Sequence, residues 1–175
     1  MIRILAIRVI DRIKESGHTQ EVLTKHSDLI LTRLGFHELN ELICSREGYI
    51  ILHLRDDIDA YANFINDLKR IYGIEMKELF LCERAEKSDP VPDNSRVSLA
   101  AIKILDRNDV INDVQKALTL FGCSIRTRMG VNLGKESGNS GLLILELTGS
   151  SSEINKLIER LDSLDNVCLG VLWFD

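Results

Sequence analysis

Two arginine–glycine pairs are the residues best suited to binding chemistry. Arg33 precedes Gly35, and Arg128 precedes Gly130, each in an apolar, strand-like segment. Arginine can hold a carboxylate or phosphate through two parallel hydrogen bonds, and glycine permits positive φ or the close approach of a ligand. The pattern predicts a pocket for an anion or amino acid where its two copies meet. The alternative is a structural arginine beside a turn glycine.

Aspartate–arginine pairs also occur twice, as Asp11-Arg12 and Asp106-Arg107. Each pair follows a strand-like segment and allows two interpretations. In one, the side chains border a ligand site. In the other, the aspartates cap the helices that follow and the arginines remain solvated.

Catalytic motifs are missing from the sequence. It contains no nucleophile with a base at a recognisable spacing, no glycine-rich phosphate loop and no carboxylate pair repeated in both copies. We therefore expect a protein that is not an enzyme and that needs no cofactor.

The charge balance argues against several classes of partner. Lysine and arginine number 22 against 27 acidic residues, and the net charge of -5 disfavours broad binding to nucleic acid or anionic membranes. Neither a helix-turn-helix nor a basic arm precedes the first strand. No apolar run approaches the roughly 20 residues of a membrane span, and the chain does not start like a secretory signal. We expect a cytoplasmic protein.

An internal duplication supplies the elements that must position these residues. The segment Ala6–Arg12 reappears as Ala101–Arg107, and Thr32–Phe36 reappears as Thr127–Val131, both at an offset of 95. After the next hairpin the offset becomes 93 and holds to the end of the chain. Two copies of one small domain are therefore predicted.

Each copy reads strand, helix, strand, strand, helix, strand. This order predicts an α+β fold of two tandem ferredoxin-like βαββαβ repeats that form a pseudo-dimer. We expect repeat 1 at residues 1–82, a linker at 83–97, which holds both prolines, and repeat 2 at 98–175. The first helix of repeat 1 is the least clear element, with Val22 and Leu23 as its anchors between residues 16 and 27.

The helix-free face of the predicted sheets is unusually apolar. It carries Tyr49 and Ile51 in the first copy and Leu142 and Ile144 in the second. Because exposed apolar surface costs roughly 25 cal/mol per Å² relative to burial, this face should be covered by the other repeat, by a second chain, or by both.

The chain resembles a known family at several of these segments. Thr32–Phe36 and Thr127–Val131 are similar to the R-M-G-V signature of the iron-only hydrogenase system regulator family, and Gly141–Leu147 resembles a strand of its second half. That family is ACT-like and is similar in turn to the ligand-binding domain of the nickel-responsive repressor. The resemblance implies a cytoplasmic, oligomeric regulator or sensor. It also implies that the loop of Asp11, Arg12, Asp106 and Arg107 borders the ligand site.

Metal sensing is the alternative that the nickel-repressor likeness implies. All four histidines lie in the first copy, and Cys44 falls between His37 and His53. The H-x-H pair of the nickel site is absent, and Glu146 stands where the first copy has His53, so the two repeats cannot build a symmetric site.

The residues together favour a non-catalytic regulator. A small anionic effector would bind between the repeats and act through homo-oligomerisation or a partner protein, with no direct binding to nucleic acid and no membrane. The candidate ligand-binding residues are Asp11, Arg12, Arg33, Gly35, Asp106, Arg107, Arg128 and Gly130. The alternatives are a metal-responsive sensor using His37, Cys44 and His53, and a ligand-free assembly module.

Overall fold

The computed structural model describes residues 1–37, 45–81, 88–134 and 137–175. In the first half the elements are β1 (Ile2–Val9), α1 (Arg12–Lys25), β2 (Ile30–Phe36), β3 (Gly48–Leu54), α2 (Ile58–Leu68) and β4 (Ile74–Leu81). In the second half they are β5 (Val97–Ile104), α3 (Arg107–Leu120), β6 (Ile125–Val131), β7 (Gly141–Leu147), α4 (Ser151–Asp162) and β8 (Val167–Phe174). Short 3₁₀ turns at Ser27–Leu29 and Gly122–Ser124 precede β2 and β6.

Each half forms its own four-stranded sheet, in the order β2-β3-β1-β4 and β6-β7-β5-β8. Antiparallel ladders join β3 to β1 and β2, and join β7 to β5 and β6. The predicted α+β class with two tandem ferredoxin-like repeats is confirmed. The chain divides into two compact units, Ile2–Glu78 and Leu79–Asp175 with Met1. The predicted boundaries at 82 and 97 stay predictions, since residues 82–87 lie outside the described residues.

Helix α1 is longer than the sequence pattern indicates. It begins at Arg12 instead of near Ser16, because the Asp11 side chain caps it by accepting from the backbone N–H of Ile13 and Lys14, at 3.2 and 3.3 Å. Asp106 caps α3 in the same way through the N–H of Asn108, at 3.0 Å. Local capping thus starts both helices directly after the first strand of each repeat.

The helices cover one face of each sheet. In the first unit Phe64 and Leu68 of α2 are fully buried against Leu5, Ile7 and Leu52 of the sheet. In the second unit the equivalent core contains the fully buried side chains Ile102, Val114, Leu145 and Leu157. Since a fully buried aliphatic or aromatic side chain contributes about 1.5–3 kcal/mol, these cores hold each helix pair on its sheet.

The opposite, helix-free face is buried as well. Tyr49 and Ile51 are each 2% exposed, and Leu142 and Ile144 are 1% and 3% exposed. None of these four residues belongs to the helix-side cores. These four side chains are therefore buried, and which repeat or chain covers them stays a prediction.

Part of the predicted linker packs on the second unit. Val91 is 2% exposed and belongs to the core beneath α4. Its N–H donates to Asn155 Oδ1 at 2.8 Å, and its carbonyl accepts from Asn155 Nδ2 at 3.1 Å. The backbone N–H of Ser88 donates to Asp162 Oδ2 at 3.1 Å. Two α4 side chains thus satisfy the backbone of this segment.

The helices are short. The longest two, α1 and α3, have 14 residues each. Within the described ranges no helix combines the length and the apolar character needed to cross a membrane.

Candidate functional site

A pocket of about 570 Å³ opens in the first unit beside helix α1 and strands β2 and β3. It brings together three of the eight predicted ligand-binding residues: Arg12, Arg33 and Gly35. The other lining residues are Val9, Ser16, Gly17, Thr19, Gln20, Phe36, His37, Gly48, Tyr49 and Ile50. All of them belong to the first repeat.

Arg33 is held in this pocket by a neutral side chain. Its Nη1 donates to Gln20 Oε1 at 2.7 Å. In the ladder Arg33 lies opposite Leu52, a residue of the helix-side core, so both share the face that α1 covers. Arg33 forms no ion pair with any residue that the structure describes. Within the described part of the chain, no carboxylate therefore neutralises its positive charge.

The second repeat reproduces this arrangement. Arg128 Nη1 donates to Gln115 Oε1 at 2.9 Å. Gln20 and Gln115 are separated by the same 95 positions as Arg33 and Arg128. Sequence reasoning missed both glutamines. The signal that could have identified them is that a glutamine occurs at the same position of both repeats.

Thr19 is a third residue that sequence reasoning missed. It lines the pocket and is only 2% exposed. Its Oγ1 has no hydrogen-bond partner among the described residues. Because an unpaired buried hydroxyl costs about 1–3 kcal/mol, this atom is a ready donor for a ligand oxygen.

The charge of the lining favours an anion. Two arginines line the pocket, and no aspartate or glutamate is among the described lining residues. A second groove of the same unit, about 600 Å³ between α1 and α2, has balanced charges, because Glu15, Glu21 and Asp67 line it together with Lys14, Lys25 and Arg70. A carboxylate or phosphate is therefore attracted to the first pocket.

Gly35 and Gly130 are not turn glycines. Both lie within strands, and neither has positive φ. A Cβ atom added at Gly35 would meet only the carbonyl oxygen of Tyr49, at 3.8 Å, so no neighbouring backbone approaches it closely. The positive-φ explanation is therefore wrong for Gly35. Close approach of a ligand stays a prediction, and the lack of a side chain leaves space for it beside Arg33.

The two predicted aspartates act as helix caps and do not line the pocket. Asp11 Oδ2 also accepts from Arg46 Nη2 at 2.5 Å, and this hydrogen bond is the main reason that the pKa of Asp11 lies below its ordinary value. Asp106 Oδ1 also accepts from Asn139 Nδ2 at 2.6 Å. Both carboxylates are engaged by protein donors, which supports the capping interpretation.

Arg12 and Arg107 point their guanidinium groups at different partners. Arg12 Nε donates to the carbonyl oxygen of Ser45 at 2.9 Å, beside the pocket. In the second repeat the Arg107 guanidinium lies directly over Gly141, where an added Cβ would be 2.5 Å from Nε. The equivalent contact in the first repeat, at Gly48, involves only Arg12 methylene carbons at 3.4 and 3.6 Å.

The two histidines of the alternative metal site, which lie among the described residues, are not brought together. Thr32 lies opposite His53 and Phe36 lies opposite Tyr49, so His37 and His53 belong to opposite ends of the β2–β3 ladder. Four residues along β3 correspond to roughly 13 Å, too far for two ligands of one ion. Cys44 lies outside the described residues. No group of three or more metal-ligating side chains is found in the ranges that the structure covers.

His53 predicts a pH dependence of stability. It is 7% exposed, its Nδ1 lacks a partner among the described residues, and burial lowers its pKa below the ordinary 6.5. Below pH 6.5 the unfolded chain therefore binds more protons at this residue than the folded chain, and stability falls with falling pH. We expect His53→Leu to lose less stability than the wild type between pH 7.5 and 5.5, measured by urea unfolding.

The matched control is His18→Gln, at a side chain that is 73% exposed. It should keep the wild-type difference between the two pH values. An unchanged pH dependence in His53→Leu would show that His53 is not the group responsible.

Comparisons with known proteins bear on the fold. No protein-family model and no curated protein matches the chain. Among solved structures, an uncharacterized protein from Thermotoga maritima is 31% identical over 45% of this chain and 92% of its own, with a TM-score of 0.39. That share of the chain is about the length of one repeat.

Two further solved structures match the whole chain. The small subunit of acetolactate synthase from Thermotoga maritima is 12% identical over 99% of this chain and 96% of its own, with a TM-score of 0.36. A mutant chlorite dismutase from Candidatus Nitrospira defluvii is 8% identical over 99% and 91%, with a TM-score of 0.39. All three TM-scores are below 0.5, so none of these likenesses decides what the protein does.

Proposed function

We propose that this protein is a non-catalytic sensor that binds a small anionic effector in the pocket of Arg12, Arg33 and Gly35. The observation that carries the proposal is the Gln20–Arg33 hydrogen bond of 2.7 Å. It gives the exposed Arg33 guanidinium a neutral partner, and no described carboxylate pairs with its charge. The pocket contains no acidic residue among its described lining residues, so a bound anion would meet no like charge from them.

The described lining residues are better suited to binding than to catalysis. They offer arginine, threonine, serine, glutamine and tyrosine side chains, which bind and orient, and one histidine, His37. No carboxylate among the described lining residues stands beside that histidine to orient it as a general base. Recognition of an anion is the chemistry that this set performs best.

The effector would act by linkage. If it binds one oligomeric arrangement more tightly than another, it shifts the population toward the first by its differential affinity. Homo-oligomerisation, a partner protein and a link to iron-only hydrogenase are parts of this proposal that rest on the sequence resemblance. The sequence predicts an effector between the repeats, whereas the pocket proposed for it is lined by residues of the first repeat. Sedimentation velocity with and without the anion measures the shift in assembly.

Arg33→Gln tests the proposal directly. Acetate, succinate and inorganic phosphate would be titrated into the protein by calorimetry at low salt. At least one should bind the wild type, and Arg33→Gln should weaken it about 10- to 100-fold, since a hydrogen bond to a charged group contributes about 1.5–3 kcal/mol.

Arg70→Gln is the matched control, because Arg70 is an exposed arginine of the same unit that does not line the pocket. It should bind the anion as the wild type does. If none of the three anions binds the wild type, or if Arg33→Gln binds as well as Arg70→Gln, the proposed site is wrong.

A further inference from the structure

We infer that the effector site exists in the first repeat alone, and that it takes one aliphatic carboxylate per chain. This inference rests on the proposed function and deepens it. The duplication would by itself suggest two equivalent sites, because both repeats keep the glutamine–arginine hydrogen bond, at 2.7 and 2.9 Å. The difference lies in what fills the space beside that bond.

Helices α1 and α3 differ at the positions that form the pocket. Thr19 of α1, with its unpaired buried hydroxyl, corresponds to Val114 of α3 at the offset of 95. Val114 is 0% exposed and belongs to the apolar core of the second unit. The polar group that a carboxylate would use in repeat 1 is therefore replaced by an apolar side chain in repeat 2.

One turn earlier, a second pair of replacements enlarges the side chains. Ser16 and Gly17 of α1 line the pocket, and their counterparts in α3 are Ile111 and Asn112. Ile111 packs against the same apolar core as Val114. Two small pocket residues of repeat 1 thus correspond to two larger residues in repeat 2, one of which joins an apolar core.

The arginine at the start of the first helix also packs differently in the two repeats. In repeat 1 Gly48 lines the pocket, and the Arg12 guanidinium turns to the Ser45 carbonyl. In repeat 2 the Arg107 guanidinium covers Gly141, at 2.5 Å from an added Cβ. The arginine that borders the open pocket in one repeat therefore closes over the backbone in the other.

The walls of the open pocket indicate the ligand class. Arg33 and the Thr19 hydroxyl suit the two oxygens of a carboxylate, while Val9 and Ile50 present aliphatic surface to the rest of the molecule. A carboxylate on a short aliphatic chain would contact both the polar and the aliphatic side chains of the pocket. Inorganic phosphate would leave the apolar wall unused.

The inference is tested by an NMR titration of the full chain labelled with ¹⁵N, using succinate as the probe. The backbone amides of Gly35 and Gly130 report the two equivalent positions separately. We expect the Gly35 and Thr19 amides to shift and saturate, the Gly130 amide to stay within experimental error, and calorimetry to give one site per chain.

Two variants that add a side chain at the matched glycines test the inference without relying on NMR chemical shifts. Gly35→Leu should fill the pocket and weaken succinate binding at least tenfold, and the backbone leaves room for its Cβ. Gly130→Leu, at the matched position of repeat 2, should leave the affinity within twofold of the wild type. If either variant fails to fold, Arg33→Gln and Arg128→Gln make the same distinction.

The possible failures are distinguishable. Equal saturation at Gly35 and Gly130, or loss of binding in Gly130→Leu, would overturn the single-site inference while leaving anion sensing intact. Binding of phosphate but not succinate would overturn the carboxylate class. If succinate, acetate and phosphate all leave both amides unmoved, the proposed function itself fails.

Discussion

Replacing Phe64 by alanine should lower the unfolding free energy of the first unit by about 3–5 kcal/mol. Phe64 is 0% exposed and lies in the middle of α2, where it packs into the helix-side core. Its ring also contacts the His26 ring, with centroids 5.2 Å apart. Truncation removes this apolar burial and leaves a cavity that the two helices and the sheet cannot refill.

Urea unfolding followed by the near-ultraviolet circular dichroism of tyrosine measures this effect, because all three tyrosines lie in the first unit. Tyr72→Ala is the control, since Tyr72 is 87% exposed, and it should change stability by less than about 0.5 kcal/mol. A Phe64→Ala variant as stable as this control would contradict the assigned core.

Replacing Leu157 by alanine should lower the unfolding free energy of the second unit by about 2–5 kcal/mol. Leu157 is 0% exposed in α4, the helix that also holds the backbone of Val91 through Asn155. Loss of the leucine side chain weakens the contact between α4 and the sheet. The same cavity therefore loosens the docking of the segment around Val91.

Trp173 is the only tryptophan and belongs to the second unit, so its fluorescence reports this transition. Leu120→Ala makes the same chemical change at a side chain that is 76% exposed, and its midpoint should stay close to that of the wild type. Equal midpoints for the two leucine variants would show that Leu157 does not anchor the core.

The order of the elements was predictable because it depends on local patterns. Alternation in the strands, helical spacing of apolar residues and the two offsets of 95 and 93 identify both βαββαβ repeats without knowledge of their packing. The apolar pattern also identified the buried helix-free face at Tyr49, Ile51, Leu142 and Ile144. The one weak element, α1, is interrupted by Ser16, Gly17 and Thr19, and these are residues that line the pocket.

The sequence left two interpretations of Asp11 and Asp106 open, as helix caps or as ligand-site residues. The sequence placed Asp11 and Asp106 at the strand–helix junctions but allowed them to face either a ligand or the helix. Their distances to backbone N–H groups, 3.0–3.3 Å, decide for the helix. The choice required the direction of each side chain, which residue type does not specify.

The sequence alone established the duplication, the two arginine–glycine pairs and the expectation of an anion, since repeats and residue types can be read without a structure. The neutral anchor of Arg33, the unpaired hydroxyl of Thr19 and the difference between the repeats came from packing. Helix α1 brings Gln20 and Thr19 against a strand more than ten positions away, and contacts between elements depend on how their faces meet. Two segments with equivalent positions in the sequence therefore differ in packing, because Val114 and Ile111 pack in an apolar core in one repeat, whereas Thr19 and Ser16 line a pocket in the other.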